Sequence, residues 1–290
     1  MKTRIYRNPV GVSKYTGLAL ISPFIIGAVL FIIYPFTASF ITGFTSDGIS
    51  VENFRNIISD GRIRASAAVT LKYTIILVPL KLAVSLGVAL LMNMELKGIG
   101  IYRTAFYIPS ILGANLAVII MWQYLFTSGG LVNQLLEKAG LSPVSWFGDP
   151  DAALFIIVLL RLWEFGSAMV IFLAALRDIP RELYDAAKVD GCGRLRCFFS
   201  VTIPQIKNII FINLVLQTIA AMQEFSAPYM ITNGGPLGST RTIGMLIYEE
   251  MFTYGDEGTA NAVSWLLFVF IAAVIFLMYR LTGISGRKQK

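Results

Sequence analysis

Apolar residues gather into six blocks of about 20 positions or more, set apart by segments richer in charge, glycine and proline. A helix needs about 20 mostly apolar residues to cross a bilayer. The blocks predict spans at about 16–40, 69–92, 104–127, 152–176, 207–231 and 259–280. The first lies in an uncharged window between Lys14 and Asp47, and the third in an uncharged run from Thr104 to Leu136. The second carries Lys72 and Lys81, the fourth Arg161 and Glu164, and the fifth Glu224. Pro23 and Pro35 fit a membrane helix better than a soluble one. The first block is too long for a secretory leader, lacks a small-x-small site and is followed by further spans, so it reads as a span. The expected fold is an all-α integral membrane protein with six transmembrane helices. Residues 1–15 form an N-terminal arm, 16–68 the first helix and an external connection, 69–280 the transmembrane core, and 281–290 a basic tail.

Charge gives the expected orientation. Sixteen basic residues fall on one side: in the arm, in the 2–3 loop, in the 4–5 loop and in the tail. The other side holds five (Arg55, Arg62, Arg64, Lys138 and Arg241) beside ten acids. The positive-inside rule then places both termini in the cytoplasm. The protein is expected in the cytoplasmic (inner) membrane, in contact with lipid, as a multi-pass chain. This asymmetry explains the net charge of +7 without a nucleic acid partner, and no base-reading motif is present. Composition agrees: 56% of residues are hydrophobic and 14% charged, against about 25% charged in soluble domains. The chain has no histidine, which excludes a catalytic or metal-binding one. Cys192 and Cys197 are too few for a metal cage and read as free thiols.

The 4–5 connection, Arg177 to Asn208, is long for a turn between membrane helices. Pro180 suits a first helical turn and Asp178 could cap it. Glu182 to Lys188 favour a short helix, and Gly191 ends it. A second amphipathic run, Leu195 to Val201, leads through Pro204 into the fifth helix. The small Ala186 and Ala187, flanked by charges, leave room for another surface. The segment reads either as a docking knob for a cytoplasmic partner or as an interfacial helix among lipid headgroups.

Its spacing resembles the EAA loop of membrane subunits of binding-protein-dependent ABC importers. Asp185-Ala186-Ala187 is followed by three residues, Gly191, nine residues and Val201-Thr202-Ile203-Pro204. Asp185 stands where the family has Glu, on a stem one methylene shorter. Thr232-Asn233-Gly234-Gly235-Pro236 with Thr240 is similar to a signature of sugar permeases of the maltose-transporter F type. That type's large external domain is missing, because only about 30 residues separate the first two predicted helices. The resemblance implies that Glu182, Asp185, Ala186, Ala187 and Gly191 form an ATPase-coupling helix and its turn. It implies a second, non-identical permease subunit, two ATP-binding cassette subunits carrying ATP and Mg, and an extracytoplasmic solute-binding protein. This chain has no phosphate-binding loop and is expected to be neither an enzyme nor a cofactor carrier.

Ionisable residues inside a span normally face the bundle or a water-filled path. On a continuous fifth helix, Asn213, Gln217 and Glu224 would lie within about 40° of one another along about 16 Å. Pro228 cannot donate to the carbonyl of Glu224, which leaves a free acceptor and a possible kink. This face suits a hydroxyl-rich solute, or helix-to-helix hydrogen bonds. Arg161 and Glu164 read as an ion pair three residues apart. Trp163 or Trp122 could stack on a sugar ring or belong to an interfacial belt. Lys81 could snorkel or meet an acid of a neighbouring chain. The expectation is a permease subunit of an ATP-driven importer for a sugar or oligosaccharide. The rivals are an importer of another solute, such as a glycerol phosphodiester, and a secondary transporter without an ATPase.

Overall fold

The structure, a computed structural model, describes residues 14–44, 55, 57, 59–94, 98–113 and 115–282. Most of the N-terminal arm, part of the external connection, Lys97 and nearly all of the basic tail lie outside the described residues. The described chain is helical: α1 (Tyr15–Gly43), α2 (Gly61–Met92), α3 (Ile99–Leu112), α4 (Leu116–Leu125), α5 (Leu131–Lys138) and α6 (Pro150–Trp163) come first. Then follow α7 (Gly166–Arg177), α8 (Arg181–Val189), α9 (Arg194–Met222), α10 (Ile243–Tyr248) and α11 (Glu257–Thr282).

Four of these, α1, α2, α9 and α11, are long and apolar enough to cross a membrane. The bent pairs α3–α4 and α6–α7 would make six. The predicted third span is therefore two helices at 97°, not one. Gly113 closes α3, and Asn115 starts α4 by accepting the Ala117 N–H at 2.9 Å. The predicted fourth span also divides, with a 43° bend between Trp163 and Gly166.

Two boundaries moved because of local chemistry. Asp60 accepts the Arg62 N–H at 2.7 Å, so α2 begins at Gly61 and takes Arg62 and Arg64 into its first turn. At the other end of the core, α9 begins at Arg194. A wide π turn over Phe198–Thr202 lies just ahead of Pro204, whose missing N–H would leave a carbonyl of a regular turn unpaired.

Packing forms three clusters among the described residues, two of them along the α6–α7 line and joined by Leu82. One gathers Tyr73, Leu77, Ile156, Ile157 and Leu160 with Ala221 and Ile231. The other gathers Ala89, Met92, Met169, Phe172, Leu176 and Ile206. Helix α1 packs on α11 through Phe36 and Phe40 against Trp265, with ring centroids 4.7 and 4.8 Å apart. The remaining surface of α1 is apolar and mostly exposed, as suits lipid or another membrane chain.

Candidate functional site

The polar residues of the core meet where helices are interrupted. Arg161, on the last turn of α6, is the hub. Its Nε and Nη2 donate to the two Glu224 oxygens at 2.7 and 2.8 Å, a bidentate pair. Its Nη1 donates to Glu164 Oε1 at 2.7 Å, and Nη2 also donates to Ser226 at 2.8 Å. A longer contact of 3.5 Å runs from Nη1 to the Gly113 carbonyl. One guanidinium thus touches three breaks: Gly113 between α3 and α4, Glu164 between α6 and α7, and Glu224 past the end of α9. The three charged side chains are only 9–14% exposed. Burial at this depth requires such pairing, since a lone buried charge is costly.

The expected fifth helix ends early. Met222 is the last residue of α9, so Glu224 does not continue the helical face of Asn213 and Gln217. The predicted free carbonyl of Glu224 does exist, and the Thr242 hydroxyl donates to it at 2.6 Å. Pro228 instead opens a π turn to Thr232. Beyond it, the Thr232 and Thr240 hydroxyls meet at 2.7 Å, and Thr240 donates to the Gly235 carbonyl at 2.9 Å. Gly234 has φ +77°, a conformation that glycine adopts without strain. The signature Gly-Gly-Pro stretch is thus a self-bonded turn with Leu237 at its exposed tip.

A cavity of about 190 Å³ adjoins the hub. Its walls include Tyr73, Lys81, Arg161, Glu164, Gln217 and Glu224. Of the four expected pathway residues, Gln217 and Glu224 therefore line it, while Asn213 and Trp163 do not. Asn213 is fully buried, and neither polar atom of its side chain finds a partner. Trp163 stacks on Trp122 with centroids 6.1 Å apart, which occupies one face of each ring. Trp122 also donates to the Ile156 carbonyl. The expected Arg161–Glu164 pair is present. Sequence reasoning missed Tyr73 and the part played by Gly113. It weighed Lys81 against lipid, an acid of a neighbouring chain or a phosphorylated solute, and not against Glu164 or Glu224.

The 4–5 loop folds into α8. Its N-terminus carries no side-chain cap, and Asp178 ends α7 instead of starting α8, because Pro180 takes the cap position. The C-terminus closes as a Schellman turn: Gly191, at φ +74°, donates to the Lys188 carbonyl and Cys192 to that of Ala187. Asp185 and Lys188 form an exposed pair at 3.0 Å. Glu182, Asp185, Ala186 and Gly191 are exposed, and Ala187 is half-buried. The Tyr184 hydroxyl meets that of Thr202 at 2.9 Å, which ties α8 to the root of α9. Both cysteines are free thiols. Among the described residues, no group of three His, Cys, Asp or Glu side chains is placed to hold a metal ion.

Residues 100–290 match the family described as binding-protein-dependent transport system inner membrane component. The chain is 39% identical over 275 residues to the probable ABC transporter permease protein YesP of Bacillus subtilis, covering 91% of this chain and 89% of that one. It is 34% identical to the sulfoquinovosyl glycerol transport system permease protein SmoG of Agrobacterium fabrum, covering 92% and 90%. The trehalose/maltose transport system permease protein MalF of Thermococcus litoralis is 32% identical, covering 88% and 89%. Among solved structures, a chain of a bacterial ABC transporter involved in alginate import shares the fold. Its TM-score is 0.83 at 19% identity, with 94% of this chain and 96% of that one covered.

Proposed function

We infer what this chain does from its kinship: it belongs to the binding-protein-dependent transport system inner membrane components, as the permease subunit of an ABC importer. The solute we assign is a sugar or oligosaccharide, as the names of the Agrobacterium and Thermococcus relatives suggest. In this reading the two bent pairs each count as one span, which gives six, with both termini in the cytoplasm. A second, non-identical permease subunit completes the pathway. A solute-binding protein delivers the sugar outside, and two partner ATPases bind ATP and Mg inside. This chain performs no covalent chemistry.

The observation that carries the reading is the shape of α8. It is a short helix with an exposed face, closed by a rigid turn and joined through Asp178–Pro180 to α7. Glu182, Asp185, Ala186, Ala187 and Gly191 present this helix to the ATPases. Movement of α8 passes along α7 to the break at Glu164, and through Tyr184 to α9. Gln217 and Glu224 at the cavity contribute to the solute path, whereas the walls do not include Asn213 or Trp163.

The test is ATP hydrolysis by the complex reconstituted in liposomes with its copurifying subunits. A sugar carried by the solute-binding protein should stimulate hydrolysis, and Gly191→Val should abolish the stimulation while the complex still assembles. Stimulation that survives Gly191→Val in an intact complex contradicts this assignment of α8.

A further inference from the structure

We propose that Lys81 is a positioning residue of the transport cycle: it is the second seat of Glu164, which Arg161 holds in the present state. The inference rests on the permease reading and adds a residue to it.

Lys81 lies in the middle of α2 and is only 8% exposed. Its ammonium has no hydrogen-bond or ion-pair partner among the described residues, although it lines the same cavity as two carboxylates. An ammonium that opens on a cavity walled by two carboxylates yet bonds to neither suits a state that exchanges with another.

Glu164 is the carboxylate of the cluster held by fewer hydrogen bonds, its side chain lying in the space that a Cβ at Gly113 would fill. Glu224 is held by two bonds from Arg161 and one from the Ala227 N–H. Glu164 accepts one bond from Arg161, through Oε1. It also sits in the interruption between α6 and α7, past the last α6 residue. Here α6 packs in one cluster and α7 in the other, while α2 and α9 run through both. The seams around the break are polar: Ser110 donates to the Glu164 carbonyl and accepts from the Ser167 N–H, and Ser85 donates to the Phe165 carbonyl.

A change in the 43° bend between α6 and α7 would displace Glu164 relative to Arg161, against the frame of α2 and α9, which pack in both clusters. Transfer to Lys81 pairs the ammonium and keeps the carboxylate pairing complete. Because α7 leads directly to α8, the switch lies on the line between the ATPases and the cavity. Arg161 stays paired with Glu224 in both states.

The test uses the reconstituted complete importer and measures solute-stimulated ATP hydrolysis for Lys81→Met, Glu164→Gln, the double variant and Lys81→Arg. Each neutral variant should lower maximal stimulated turnover at least tenfold, with the apparent solute affinity changed less than threefold. The double variant should be no worse than the worse single one, and Lys81→Arg should restore most of the rate. Hydrogen exchange at residues 163–168 should differ between nucleotide-free and ATP-bound complex in the wild type and not in Lys81→Met. Independent effects that multiply in the double variant would overturn the proposal. So would a Lys81→Met complex with normal turnover, or one altered only in solute affinity, which would make Lys81 a solute contact. A variant that fails to assemble is replaced by Lys81→Gln under the same criteria. Wild-type complex with no stimulation by any sugar would defeat the sugar assignment on which this test rests, and the proposal with it.

Discussion

Removing the Arg161 guanidinium should be the most damaging single change in the core. Arg161→Met deletes four close bonds and leaves Glu224 and Glu164 buried without a counter-charge from that residue. Breaking a buried pair by removing one partner costs about 3–5 kcal/mol, much of it from the charge left behind. The side chains here are 11%, 9% and 14% exposed, so solvent screens them little. At roughly 2–4 °C per kcal/mol for chains of a few hundred residues, the apparent melting temperature should fall by about 6–20 °C. The assay is thermal unfolding of purified complex in mild detergent, followed by the loss of the monodisperse peak. Arg161→Lys keeps the charge and loses the fork, so it should fall between the wild type and Arg161→Met. Adding Glu224→Gln to Arg161→Met should recover part of the loss, because one stranded charge is removed. An Arg161→Met complex as stable as the wild type to within about 0.5 kcal/mol, well below the cost of a broken buried pair, would refute this account of the hub.

Three further outcomes follow from the geometry. Gly166→Ala should weaken α3–α7 packing, because a Cβ there would lie 2.6 Å from the Phe106 carbonyl oxygen; the apparent melting temperature of the detergent-solubilised complex should fall. Tyr184→Phe removes the bond to Thr202, worth about 1 kcal/mol, and should raise hydrogen exchange across α8 without changing assembly. Burial tends to push the Asp60 carboxyl up, but hydrogen bonds from the Arg62 backbone and side chain outweigh it and hold its pKa below the ordinary 3.8. Its contribution to stability should be full above 3.8 and lost as pH falls through the lower folded value. The stability gap between wild type and Asp60→Ala, about 1 kcal/mol at neutral pH, should close in that range when unfolding is followed against pH.

The places of the six apolar blocks were legible because hydropathy depends on composition alone. The bends were not, because Gly113 and Phe165 sit inside stretches apolar enough to span without them. Asn115 did carry a helix-start signal ahead of Leu116, but the unbroken hydropathy around it concealed the signal. The turn at Gly191 was readable because a left-handed position has a strong glycine preference. The partnership of Arg161 with Glu224 was not readable, since the two are 63 residues apart and no local pattern links them. The nearest clue was Pro228, which indicated that the Glu224 carbonyl needed a donor from outside the helix, and Thr242 supplies it. Lys81 read as snorkelling or meeting an acid of a neighbouring chain, because a sequence gives no sign that carboxylates from other helices of the same chain line the cavity it faces.

The central claim is that this chain works as one permease among several subunits driven by separate ATPases. Native mass spectrometry of the complex drawn from its own membranes in mild detergent tests that claim most directly. The account predicts one copy of this chain, one different permease chain and two ATPase copies. A monomer or homo-oligomer without any ATPase, in a preparation still competent for solute transport, would contradict it.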